Sequence, residues 1–172
     1  GAELDAESLR PFLKHPRVLG IAEVMNFPGV IYGDERVLKK IELAAGRPVD
    51  GHAPGVGGKW LNAYAAAGIG TDHECTSADE AREKLRRGMH IFIREGSTAR
   101  NLEELLSLVT STNAHRFAFV SDDRHADDLI REGHMNATLK KAVARGLDPI
   151  LALAMATSHP AHLQRPDWCR TR

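Results

Sequence analysis

Ile69-Gly70-Thr71-Asp72-His73-Glu74-Cys75-Thr76-Ser77-Ala78-Asp79-Glu80 decides the architecture of this chain. A short β-compatible run ends in Asp72, His73 and Glu74, and Ser77-Ala78-Asp79-Glu80 then has the order of a helix capping box. Polar side chains at the end of an apolar run are not there for packing, so the stretch reads as strand, functional edge, helix. The same grammar repeats outward. Val18 to Val24 contains Glu23 near its end, and Asp34 then caps a helix stopped by Gly46. Pro48 to Ala53 carries His52 and precedes a bend at Gly55, Gly57 and Gly58, a helix over 59–67, and Gly68. Met89 to Arg94 alternates as a strand, followed by a helix that Asn101 caps. Phe117 to Ser121 is the fifth strand and runs into Asp122-Asp123. Asn136 opens a helix that Gly146 ends, and Asp148-Pro149 starts the last, since proline suits a first helical turn.

Strands alternating with helices of this length indicate βαβ units, a parallel sheet and right-handed crossovers. Steps of 29, 21, 22 and 27 residues separate Glu23, His52, His73, Glu95 and Asp122. Each step fits one unit, so all five side chains fall at one edge of the sheet, where ligands collect in such folds. A closed (β/α)8 barrel has eight units in about 250 residues. This chain, with 172 residues, has five. The expected fold class is therefore α/β: a partial (β/α)8 TIM-like barrel whose first three strands are not in the sequence.

Bulk properties exclude several classes of function. Lys+Arg and Asp+Glu both number 23, giving zero net charge, so there is no basic footprint for nucleic acid or an anionic membrane. No apolar stretch reaches the roughly 18 residues of a membrane span. Gly1 to Pro16 is charged and amphipathic, without the apolar centre of a signal peptide. Cys75 and Cys169 form neither a disulfide framework nor a zinc-finger spacing. A reducing, cytoplasmic location is expected.

Glu23, His52, His73 and Asp122 come from four successive strand ends and are hard-to-borderline ligands suited to Zn, Mn or Fe. Each also has an ordinary explanation. Glu23 can pair with Arg17, Lys39 or Lys40, and His52 stands beside a turn. His73 can be a solvated strand end, while Asp122-Asp123 can begin a loop. Taken together they suggest a cation that acidifies a bound water, with an aspartate as base, and hence metal-assisted hydrolysis. Asp72 and Glu74 flank His73 as supporting groups. Arg94-Glu95-Gly96-Ser97 can contact substrate or form an internal ion pair, and His125 can line a mouth near the site or be a solvated loop residue. Met25, Phe27 and Trp60 can wall a pocket, though core packing is their usual employment.

Several longer words carry a resemblance. Gly20-Ile21-Ala22-Glu23-Val24-Met25-Asn26, Asp50-Gly51-His52-Ala53-Pro54-Gly55, Thr71-Asp72-His73-Glu74-Cys75-Thr76, Ile93-Arg94-Glu95-Gly96-Ser97, Ser121-Asp122-Asp123-Arg124-His125 and Met155-Ala156-Thr157 resemble the bacterial adenine deaminases of the amidohydrolase superfamily. The likeness runs from about Val18 to Thr157. It implies strands four to eight of a distorted barrel with two divalent metal ions, manganese or iron, with zinc as an option. By that likeness Glu23 bridges the metals, His52 and His73 ligate one of them, and Asp122 binds the other and shuttles protons. Glu23 and Asp122 would be the catalytic pair, and Asp123 is the alternative ligand on the last strand. Asp72, Glu74, Glu95, Asp123 and His125 would contact substrate or support the ligands. Water would attack C6 of adenine to give hypoxanthine and ammonia, a purine-salvage reaction.

The chain departs from that pattern at both ends. It has no His-x-His pair, and the family's additional β-rich domain has no counterpart. After Thr157 the family's Asn-Pro-Ala is replaced by Ser158-His159-Pro160, so 1–157 is read as partial catalytic domain and 158–172 as a divergent tail. An amidohydrolase for another purine or a cyclic amide, and a non-catalytic half-barrel, stay open. An incomplete barrel leaves strand edges and apolar faces bare, so a homo-oligomer, or an aggregation-prone and marginally stable chain, is expected.

Overall fold

The computed structural model describes residues 3–164. Five strands, β1 (Ile21–Val24), β2 (Val49–Gly51), β3 (Thr71–Asp72), β4 (His90–Arg94) and β5 (Phe117–Val120), form one parallel sheet in the order β1-β2-β3-β4-β5. The order never reverses. With right-handed crossovers every connecting helix then falls on the same face, as in a barrel wall rather than a doubly wound sheet. Register pairs Val24 with Gly51, Gly51 with Asp72, Asp72 with Ile91, and Ile93 with Phe119. Among the described residues neither β1 nor β5 has a partner on its outer side.

The helices are α1 (Ala6–Leu9), α2 (Phe27–Tyr32), α3 (Glu35–Glu42), α4 (Gly58–Ala66), α5 (Ala78–Arg86), α6 (Leu102–Leu105), α7 (Ala126–Arg131), α8 (Met135–Ala144), α9 (Pro149–Ala156) and α10 (Ser158–Gln164). Side-chain caps explain half of their starts. Asp34 accepts from Arg36 N, Ser77 from Glu80 N, and Asp148 from both Ile150 N and Leu151 N. Helices α1, α2, α7 and α10 have no counterpart in the sequence reading, because each is too short to show a helical period. In α2, Asn26 accepts from Gly29 N, Pro28 sits in the first turn and Gly33 ends the helix at φ 78°.

Several other expectations are corrected. The strands are shorter than the apolar runs, and β3 keeps two residues. Asn101 does not cap α6 through its side chain, which instead accepts from Arg94 Nε at 3.3 Å. Helix α8 starts after His134, while Asn136 turns its oxygen back to His134 N. Met25 and Trp60 lie exposed rather than in the core. Of the expected divergent segment 158–172, its first part forms α10, and 165–172 lie outside the described residues.

The core falls into two clusters that share one sheet. Val24, Val30, Ile41, Val49, Leu61, Tyr64 and Ile69 join β1 and β2 to α2, α3 and α4. Ile91, Ile93, Leu102, Leu105, Phe117, Phe119 and Met155 join β4 and β5 to the later helices. Burial of such side chains at about 25 cal/mol per Å² is the main stabilising term. No helix among the described residues is long and apolar enough to cross a membrane.

Candidate metal centre

Parallel pairing brings every strand's C-terminal end to one rim. Glu23 on β1, His52 just beyond β2 and His73 just beyond β3 meet there. Glu23 Oε2 lies 2.8 Å from His73 Nε2 and 3.2 Å from His52 Nδ1. The two imidazole rings stand edge to face with centroids 5.4 Å apart. One ligand-type atom from each of the three residues lies within 4.8 Å of the others.

A second group adjoins the first through His73. His73, Glu74 and Asp122 likewise offer three ligand-type atoms within 4.8 Å of one another. Between the two carboxylates stands Arg94, the last residue of β4. It grips Glu74 with both terminal nitrogens and donates from Nη1 to Asp122 Oδ2 at 2.8 Å. This planar fork suits carboxylates. Asp122 has φ 50°, a left-handed conformation that short polar residues tolerate, as the chain turns sharply off β5. The neighbouring β4 turn fits closely beneath it. A Cβ on Gly96 would come within 2.8 Å of Ser121 O, so glycine is required there.

The imidazoles are oriented from behind. His73 Nδ1 lies 3.4 Å from Asp50 Oδ2, whose other oxygen accepts from the Thr71 hydroxyl. Burial acts to lower the pKa of His73, but Asp50, Glu23 and Asp72 outweigh it and raise it overall. Tyr64, fully buried on α4, donates to Val24 O at 2.8 Å and accepts from His52 N at 3.0 Å. Its hydroxyl thus bridges the ends of β1 and β2. Burial raises its pKa, so it remains a neutral phenol. Gly51 makes room for this arrangement, since a Cβ would meet Thr71 O at 2.5 Å and Tyr64 Oη at 3.0 Å.

The remaining candidates lie apart from the cluster. Asp72 is fully buried and is taken up by backbone, accepting from Ala53 N and Glu74 N. Glu95 is buried and pairs with Lys141 Nζ at 2.8 Å. Asp123 and His125 are exposed. Asp123 gives its carbonyl to Ser97 N, and His125 gives its N–H to Ser97 Oγ. Arg94-Glu95 was expected either to contact substrate or to form an internal ion pair, and Arg94 pairs with Glu74 and Asp122. Asp50 and Tyr64 had no assigned role in the sequence reading. Asp50 had a visible signal: a carboxylate inside an apolar strand cannot be there for packing. Tyr64 had none.

The donor set fits a divalent cation. Carboxylate and imidazole are borderline ligands for zinc, manganese and iron, and no thiolate competes. Cys75 is buried, and that burial pushes its thiol up to about 12, so it stays protonated. Glu23 Oε2, His52 Nδ1 and His73 Nε2 would hold such an ion, with Asp50 steadying the second imidazole from its far side.

A barrel-wall segment whose rim gathers carboxylates and imidazoles closely enough to share a cation is the layout of a metal-type hydrolase. Residues 2–165 match the amidohydrolase family, and the chain belongs to it. It is 50% identical over 163 residues to an adenine deaminase of Desulfatibacillum aliphaticivorans, covering 94% of this chain and 29% of that protein. An adenine deaminase of Dehalococcoides mccartyi is 52% identical over 165 residues, covering 96% of this chain and 29% of the relative. Adenine deaminase 2 of Carboxydothermus hydrogenoformans is 50% identical over 165 residues, with the same two coverages. The chain thus spans under a third of the length of these relatives.

Proposed function

We propose that this chain carries strands four to eight of a metal-dependent adenine deaminase barrel, which converts adenine and water to hypoxanthine and ammonia. The observation that carries this reading is the Glu23–His52–His73 convergence, in a chain about half identical to proteins named for that reaction. Two divalent ions, manganese or iron with zinc as an option, are the proposed cofactors. His52 and His73 would hold one of them and Asp122 the other, with Glu23 shared between them. A divalent ion at such a site supplies an acidified water as nucleophile at neutral pH.

The protein's own residues do the rest. Glu23 stands where both imidazoles can be held against one oxygen. Asp122 is the base: it takes a proton from the attacking water and passes it to the departing nitrogen. Arg94 aims that carboxylate by donating to its Oδ2. Glu74, on the same guanidinium, faces the space beside His52 at 3.6 Å. Asp123 and His125 are proposed to meet substrate at the mouth, whereas Asp72 and Glu95 serve through the backbone and through Lys141. A cytoplasmic role in purine salvage and assembly as a homo-oligomer belong to the same proposal. Residues 1–157 form its catalytic part, with 158–172 as a divergent tail.

One second reading is a non-catalytic half-barrel. Ammonia release from adenine separates the two. The test uses this chain and the same chain preceded by a relative's first three strands, each with Mn²⁺ or Fe²⁺. Activity confined to the longer protein is expected. Inactivity of both with metal bound would overturn the enzymatic reading. His52→Ala should weaken metal binding by more than about 100-fold, beyond the range for supporting residues.

A further inference from the structure

Lys84 is an ammonium group with no place in the reaction above, yet its side chain is fully buried. It lies on α5, and its nitrogen reaches back toward the rim. It donates to Ala53 O at 2.8 Å and to Glu80 Oε1 at 2.7 Å, and stands 3.2 Å from Asp72 Oδ2. Ala53 directly follows His52, and Asp72 directly precedes His73. The Asp72 carboxylate completes the connection, accepting from Ala53 N at 2.9 Å and from Glu74 N at 2.7 Å. Backbone on both sides of His73, and the peptide after His52, is therefore tied to one charge. Glu80 anchors the far side by accepting from Gly55 N at 2.9 Å and Thr76 N at 3.2 Å. It is the residue expected to close a capping box with Ser77, but its carboxylate is spent on the rim loops instead.

A buried ion pair is seldom the most stable filling for a site, because well-packed apolar side chains often do as well or better. What it adds is geometry: two directed hydrogen bonds and a close ion-pair contact on one nitrogen, joining two loops and a helix. We propose that Lys84 is a positioning residue that sets the spacing of the His52 and His73 imidazoles, with Asp72 as the shared arm between the two strand ends. The proposal rests on the reading of those histidines as metal ligands. Its mechanical part, the tie between two loops, stands without that reading. Charge at Lys84 is retained because Asp72 and Glu80 outweigh the opposing effect of burial.

The test uses Lys84→Met and the double variant Lys84→Met with Asp72→Asn, which removes both charges and leaves no uncompensated ion if the single variant fails to fold. Amide hydrogen exchange without metal is the first readout. Ala53 N–H and Glu74 N–H should exchange at least about ten-fold faster in either variant, while amides of the β4–β5 ladder keep their protection. Co²⁺ binding followed by visible absorption is the second. The dissociation constant should rise about 10- to 100-fold, with a changed band shape. A merely stabilising lysine would lower the melting point while the folded protein kept its Co²⁺ spectrum and affinity. That result, or unchanged exchange at Ala53 and Glu74 in the double variant, overturns the proposal. If the unaltered chain binds no Co²⁺, the ligand reading fails, and amide exchange alone then decides whether Lys84 holds the two strand ends.

Discussion

Two histidines at opposite ends of the same sheet titrate in opposite directions. His73 leaves the C-terminal end of β3, and His90 begins β4 at the other edge. Burial disfavours the charged ring in both. At His73, Asp50, Glu23 and Asp72 reverse that effect. At His90, Arg116 and His115 reinforce it, and the pKa falls to about 4. The residue type is the same, so the edge decides the chemistry. A parallel sheet sends every strand's outgoing side chains to one rim, where acids can be concentrated; the opposite edge here receives positive charge.

The strongest way to break this comparison is to unbalance the acidic rim. In Arg94→Met, Glu74 and Asp122 lose the guanidinium they share. Stability in urea should drop by about 2–4 kcal/mol, somewhat below the loss for a fully enclosed pair because both carboxylates keep some contact with water. A loss under about 0.5 kcal/mol would show that the rim tolerates its acids without Arg94. Tyr64→Phe is gentler. It strands Val24 O and His52 N without their shared hydroxyl, for an expected loss of about 1–2 kcal/mol measured by the same unfolding curve.

The effect at the other edge appears only as the pH falls. His90 has a folded pKa near 4, below its ordinary 6.5, so the unfolded chain takes up its proton first as pH falls. Its contribution is fully present above about pH 6.5 and is lost progressively as the pH drops toward about 4. His90→Asn should flatten that part of the stability profile. An unchanged slope would place the ring in water.

Much of the plan is legible in the residues because local rules agree with the global ones. The strand ends at Glu23, His52, His73 and Asp122 follow from apolar runs, and the helix starts at Asp34, Ser77 and Asp148 follow from capping chemistry. Other features lack a local signature. Helix α2 is too short for periodicity, and Asn101 looks like a cap until Arg94 claims its oxygen. Asp122 and Asp123 are indistinguishable as neighbours in sequence. A left-handed turn at the first aims it at Arg94, and the second contributes its carbonyl to the β4 loop.

Sequence alone determined the alternation of strand and helix, the family likeness and the edge at which the acids and histidines collect. These depend on nearest-neighbour propensity and on a repeat length close to one βαβ unit. Tertiary structure alone decided which groups touch: Glu23 against both imidazoles, Arg94 between two carboxylates, and Lys84 beneath two loops. Those contacts join residues from about 12 to about 50 positions apart, and their lengths depend on packing across the sheet, which no local pattern encodes.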